Sequence, residues 1–204
     1  MTDEAQPPVP TTIVKRNLRT VGALAAIFFL PLVLAFWMYY GNGWRPVSHT
    51  NHGELFDPVR ELPQAELREA SGAVAAANLF REKWALAYVG DGACDEACKA
   101  SLHFMRQTRL SLNNEMTRVA RVFLATGTCC DREFLAREHP GLVVIDATGP
   151  EAIDLVKAFP QTERPQSLFI VDPLGNLVMR YDVRNDPKGL LEDLKKLLKL
   201  SHIG

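Results

Sequence analysis

Apolar and polar positions along the chain fall into segments with different periods. The first, Val21–Tyr40 (VGALAAIFFLPLVLAFWMYY), runs for 20 residues without a charge. As a helix it would rise about 30 Å, the thickness of a bilayer's hydrocarbon core, so a membrane-spanning helix is predicted. Pro31 is tolerable in such a helix and predicts a kink. Trp37, Tyr39, Tyr40 and Trp44 gather at the far end, where an aromatic belt meets lipid headgroups. A cleaved signal peptide would have a shorter apolar core followed by small residues, whereas bulky FWMYY follows here. A helix inside a soluble core would show a polar face.

Beyond the span the periods shorten. Glu54–Leu62 alternates weakly and reads as an edge strand limited by Pro58 and Pro63. Glu66–Glu82 has the composition of a short helix or an irregular connection. Ala85–Val89 is a continuous apolar run, the mark of a fully buried strand, ended by Gly90 and Gly92. A helix is predicted from about Asp95 to Met116, with Cys98, Leu102, Met105, Leu112 and Met116 as its inward stripe. Val119–Ala125 is a second strand, Asp131–Glu138 a helix stopped by His139-Pro140-Gly141, and Leu142–Ile145 a third strand. Pro150–Phe159 reads as a helix with proline at its start. Ser167–Val171 and Asn176–Tyr181 flank Asp172-Pro173-Leu174-Gly175, a hairpin signal, and Pro187–Leu200 is an amphipathic helix with a leucine stripe. This order predicts an α/β domain with parallel central strands and an antiparallel hairpin.

The 204 residues are 47% hydrophobic with a formal charge of −1, which gives no electrostatic reason to expect nucleic acid as a partner. Charge matters more locally. Lys15, Arg16 and Arg19 precede the span and Arg45 alone follows it closely. The positive-inside bias then predicts a cytoplasmic tail (1–20), a transmembrane helix (21–40), a polar linker (41–54) and an exported domain (55–204). In a bacterium the anchor lies in the inner membrane and the domain in the periplasm, where cysteines can be oxidised.

Candidate chemistry concentrates on Cys94 and Cys98, which follow the first buried strand at a helix start. A spacing of four places both sulfurs on one face of a helical turn, where free N–H groups and the helix dipole favour thiolate. The pair could be a structural disulfide, a redox couple or two Cu(I) ligands. A structural bond closing so short a loop would stabilise little, which argues for function. Cys94, nearer the helix start, is the candidate nucleophile, opposed by the negative charges of Asp91, Asp95 and Glu96. Cys129 and Cys130 follow the neighbouring parallel strand, on the same sheet edge as Cys94. They are either an ordinary loop pair, oxidised to each other, or secondary thiols that exchange or share a metal with the first pair. His49 and His52 have a metal-compatible spacing but read as solvated. His103 lies about 140° around the helix from Cys98 and reads as solvated or packed. His139 and His202 are assigned no role. No phosphate loop, zinc quartet, serine elbow or peroxidase motif appears.

The order of elements with a dithiol after the first core strand resembles the thioredoxin fold. CDEAC after KWALAYVG, an N-terminal anchor and the IVDPLGN turn resemble the Sco/SenC family of membrane-anchored cytochrome c oxidase assembly factors, over roughly residues 53–200. The resemblance implies a thioredoxin-like domain with a central mixed sheet flanked by helices. It also implies a partner in an oxidase subunit or another assembly factor, and copper as a possible cofactor at Cys94 and Cys98. Sco proteins add a histidine shortly before the hairpin strand, where Arg164, Pro165, Gln166 and Ser167 stand here. The chain thus resembles a subgroup lacking that ligand, unless His103, His49 or His52 substitutes. Pro165 falls where thioredoxins carry a cis-proline, so a cis Arg164–Pro165 bond and a client-binding role for both residues are implied. Arg164 could also pair with Asp95 or Glu96. The implied activity is thiol–disulfide exchange, with a Cu(I) chaperone or a non-enzymatic scaffold as alternatives.

Overall fold

The computed structural model describes residues 11–41, 51–201 and 203. Its contacts divide the chain into two units, residues 1–49 and 50–204. In the first, α1 spans Thr11–Gly41 and contains Pro31, so the helix begins ten residues before the apolar run. Arg19–Gly41 is long and apolar enough to cross a membrane, and Phe28, Leu30 and Phe36 on it are exposed. Trp44 and His49 lie outside the described residues, as does His202.

The second unit is built on one mixed sheet. Its strands are β1 (Glu54–Glu61), β2 (Arg68–Glu69), β3 (Trp84–Asp91), β4 (Val119–Thr126), β5 (Val143–Asp146), β6 (Ser167–Val171) and β7 (Asn176–Asp182). They lie in the order β1-β7-β6-β3-β4-β5-β2. β3, β4 and β5 are parallel neighbours, while β6 pairs antiparallel with both β3 and β7. The continuous apolar runs take the centre because both faces there are covered. Edge strand β1 pairs with β7, and its register shifts between Leu55 and Arg60, around Pro58, which has no N–H to donate. Glu66–Glu82 forms no α-helix. Arg68 and Glu69 instead close the β5 edge as β2, and the Ala70 N–H donates to the Val144 carbonyl at 2.9 Å.

The helices are α2 (Glu96–Leu110), α3 (Arg132–Glu138), α4 (Ile153–Ala158) and α5 (Pro187–Leu200). α2 stops well before Met116. Ser111 caps it, Asn113 turns left-handed at φ 53°, and Asn113–Arg118 forms a 3-10 turn. Serine and asparagine compete for backbone hydrogen bonds and so favour such an exit. On one face of the sheet, Leu86, Tyr88, Phe123 and Ile170 pack with Cys98, Leu102 and Met105 of α2 and Leu190, Leu194 and Leu198 of α5. On the other, Ala87, Val89, Val122, Leu124 and Phe169 pack with Leu155, Phe159, Leu67 and Phe80. Central strands deliver their carboxyl ends, and the loops that follow, to the edge where α2 begins.

Candidate functional site

β3 ends at Asp91, and a four-residue loop leads into α2. Asp91 Oδ1 accepts from the Ala93 N–H at 2.8 Å, and the Asp91 carbonyl accepts from the Cys94 N–H at 3.1 Å. Asp95 is the N-cap: its Oδ1 accepts from the Cys98 N–H at 2.9 Å. Cys94 therefore lies just outside the helix and Cys98 in its first turn. The two sulfurs are bonded, with Cα atoms 5.0 Å apart. Cys94 sits at φ 50°, a left-handed conformation that costs a non-glycine residue about 1 kcal/mol. Strain of this kind persists only where neighbours impose it.

The disulfide faces inward. Cys94 and Cys98 are each 2% exposed and belong to the core cluster under α2. The Tyr88 hydroxyl is pushed well above the usual range by its burial and then by the charge of exposed Asp95.

Cys129 and Cys130 are bonded to each other and only partly buried. Their loop adjoins the first one, as parallel strands with carboxyl ends on one edge require. The Asp131 N–H donates to the Gly92 carbonyl at 3.1 Å. A Cβ at Gly92 would lie 2.5 Å from the Thr128 carbonyl oxygen and 2.8 Å from Cys129 Cα, so only glycine permits this approach. Both cysteine pairs touch the same apolar cluster.

The turn before β6 also reaches the site. Arg164–Gln166 forms a 3-10 turn. Its Pro165 carbonyl accepts from Ser101 Oγ on α2 at 3.0 Å and from the Tyr88 hydroxyl at 3.4 Å. Among the described residues the cis peptide bonds are Asp57–Pro58 and Cys129–Cys130, so the expected cis bond at Arg164–Pro165 is absent. The short 3-10 turn itself carries the chain into β6. Nor does Arg164 meet Asp95 or Glu96. Its guanidinium donates to the carbonyls of Val156 (2.7 Å), Phe159 (2.6 Å) and Pro160 (2.9 Å), the orphan acceptors at the end of α4. Burial there holds its pKa down. Ser101 and Tyr88 were not singled out from the sequence. A polar residue three positions after Cys98, on the inward stripe, was the available signal.

His52 pairs on α5, its Nδ1 lying 3.2 Å from buried Asp193. His103 is exposed on α2. Among the described residues no group of three histidine, cysteine or acidic side chains is placed to hold a metal. Among the described residues, reduced Cys94 and Cys98 would offer two soft donors and no third, so those residues do not make up a three-ligand copper centre.

The mixed sheet with its flanking helices is shared with solved structures. The apo Sco1 protein of Thermus thermophilus is 17% identical with a TM-score of 0.60, covering 74% of this chain and 99% of its own. Yeast Sco1 with copper bound is 16% identical, TM-score 0.59, covering 68% and 92%. BsSco, described as a member of the Sco family of cytochrome c oxidase assembly proteins with a disulfide switch, is 16% identical, TM-score 0.51, covering 70% and 96%. At these identities the likeness is one of fold. Comparison with curated proteins gives no match. The family model described as transmembrane-like, thioredoxin-like, C-terminal domain matches residues 84–201, from the first core strand through the last helix. The chain, a dithiol-bearing thioredoxin-like domain following one apolar helix, belongs to that family.

Proposed function

We propose that this protein is a membrane-anchored thiol–disulfide exchange factor that assists assembly of a cytochrome c oxidase. In this reading the apolar helix is an uncleaved anchor in a bacterial inner membrane, the N-terminus is cytoplasmic and the domain is periplasmic. The observation that carries the reading is the Cys94–Cys98 bond at the carboxyl end of central strand β3, where α2 is hydrogen-bonded to the turn that holds Pro165. The Sco-type relatives, one described by its disulfide switch, support the same assignment.

In the reduced form, the Cys94 thiolate attacks a sulfur of the client disulfide. The client S–S bond breaks, and its second sulfur leaves as a thiolate that takes up a proton. Cys98, losing its proton, then attacks Cys94 Sγ of the mixed disulfide. The client's first sulfur departs, the Cys94–Cys98 bond forms, and two electrons have passed to the client. With Cys94 and Cys98 each 2% exposed in the oxidised form, exchange in either direction requires the loop between β3 and α2 to open. Arg164 anchors the turn that presents Pro165, and both form the wall a client segment meets. Cys129 and Cys130, more accessible, are the secondary pair: reduced to a dithiol by a protein dithiol that is itself oxidised to a disulfide, they pass two electrons to the Cys94–Cys98 disulfide and become a disulfide again. Single Cys→Ser variants analysed by mass spectrometry would then trap a species linking 129 or 130 to 94 or 98.

Two copper-bound Sco structures favour the second reading, a Cu(I) chaperone using Cys94 and Cys98. A redox titration and a Cu(I) titration of the full chain in detergent separate the two. Exchange predicts weak Cu(I) binding and a midpoint potential above about −300 mV, where labile disulfides lie. Tight stoichiometric Cu(I) held by these cysteines would replace it with the chaperone reading. Normal oxidase assembly in a strain carrying Cys94→Ser and Cys98→Ser would reject both and leave a scaffold.

A further inference from the structure

Beside the thiol site, α2 and the end of α3 enclose a cavity of about 250 Å³. Its polar lining is Lys99, His103 and Arg106 from α2, and Arg137 and Glu138 from α3. Phe134 and His139 complete it.

The charge in this groove is unbalanced. Lys99 is bonded to Glu96 at 2.8 Å, with Asp131 and Asp95 acting on it from further off. Arg137 meets Glu138 at 3.0 Å and Glu133 at 3.8 Å, two carboxylates that more than offset its charge. Arg106 makes no ion pair among the described residues. Behind it lies Arg121 of β4, 4% exposed, with one hydrogen bond from Nη2 to the Pro140 carbonyl at 2.6 Å. Its Nε and Nη1 have no partner, and no carboxylate among the described residues is within ion-pair distance. Burial, and then the charges of Arg109 and Arg106, hold its pKa down to about 10. His139, also 4% exposed, has an unpartnered Nδ1 and stacks edge-on against Phe134 at 5.3 Å.

A buried guanidinium facing only like charge is costly, and proteins keep such groups where a negative partner arrives. Guanidinium groups present paired donors to oxyanions. We propose that this groove binds a small oxyanion, a phosphate or a carboxylate group, held directly by Arg106, with Lys99 and His103 at its rim and the charge of Arg121 behind it. The site goes beyond the exchange reading and does not depend on it.

The test is calorimetric titration of the full chain in a non-ionic detergent at constant sodium chloride, with inorganic phosphate in one arm and malonate in the other. Saturable binding in either arm is expected, and the arm that saturates tells a tetrahedral from a carboxylate ligand. Arg106→Gln should weaken it about tenfold or more, as loss of a charge-assisted bond does, while Lys195→Gln on exposed α5 leaves it unchanged. Absence of saturation in both arms would overturn the proposal, and so would equal weakening by the two variants.

Discussion

Gly92→Ala tests whether the two cysteine loops are held together by close backbone approach. The added methyl would sit 2.5 Å from the Thr128 carbonyl oxygen, 2.8 Å from Cys129 Cα and 3.2 Å from Ala125 Cβ. Carbon–oxygen contacts need about 3.3 Å or more, so the obstruction is close to 1 Å and lies mainly against backbone, which cannot rotate aside. Relief requires the 127–131 loop to move, weakening the bond from the Asp131 N–H to the Gly92 carbonyl. Overpacking of this order costs about 1–3 kcal/mol. For a domain of this size, each kcal/mol lowers Tm by about 2–4 °C. Thermal unfolding of the oxidised chain in detergent, followed by near-ultraviolet circular dichroism, should show that loss. The same shift should reduce any trapped disulfide between the two cysteine pairs. An unchanged Tm would refute the reasoning, because the loops would then be free to separate without cost.

Asp95→Ala removes the α2 N-cap and should cost about 1 kcal/mol in denaturant unfolding. It also removes a negative charge beside the pair and frees the Cys98 N–H, so the reduced cysteines should alkylate faster at neutral pH; slower alkylation would refute this electrostatic account. His139 is held below the ordinary histidine value of 6.5 by burial and by the charges of Arg121 and Arg106. The unfolded chain takes up that proton more readily, so the contribution is full above 6.5 and is lost as pH falls below it. Urea midpoints at about pH 7.5 and about pH 5.5 should therefore differ, and His139→Phe should narrow the difference; an unaltered difference would show that another group titrates.

Most of the fold was legible because its signals are local. The continuous apolar runs at Ala85–Val89 and Val119–Ala125 became the paired centre of the sheet, and the Asp172–Gly175 turn became the β6–β7 connection. The leucine stripe of Pro187–Leu200 packed as its period requires. One segment misled. Asp95–Met116 has an apolar stripe long enough for one helix, yet the weak helix formers at Ser111–Asn114 end it early. Glu66–Glu82 has no clear period, and its place at the sheet edge comes from the unpaired groups of β5.

The sequence alone determined that one apolar stretch can span a bilayer, that an α/β sheet follows, and that Cys94 and Cys98 stand where its first core strand meets a helix. Spacing and hydrophobic period suffice for those because they act over a few neighbouring residues. Only the tertiary structure decided that the Cys129–Cys130 loop lies against Gly92, that Arg164 serves α4 instead of the acidic helix start, and that the charge of Arg121 acts on His139, which lines one groove. Those facts depend on which strand lies beside which, and on where carbonyls left over by one element find donors from another. Neither is encoded by any single stretch of chain.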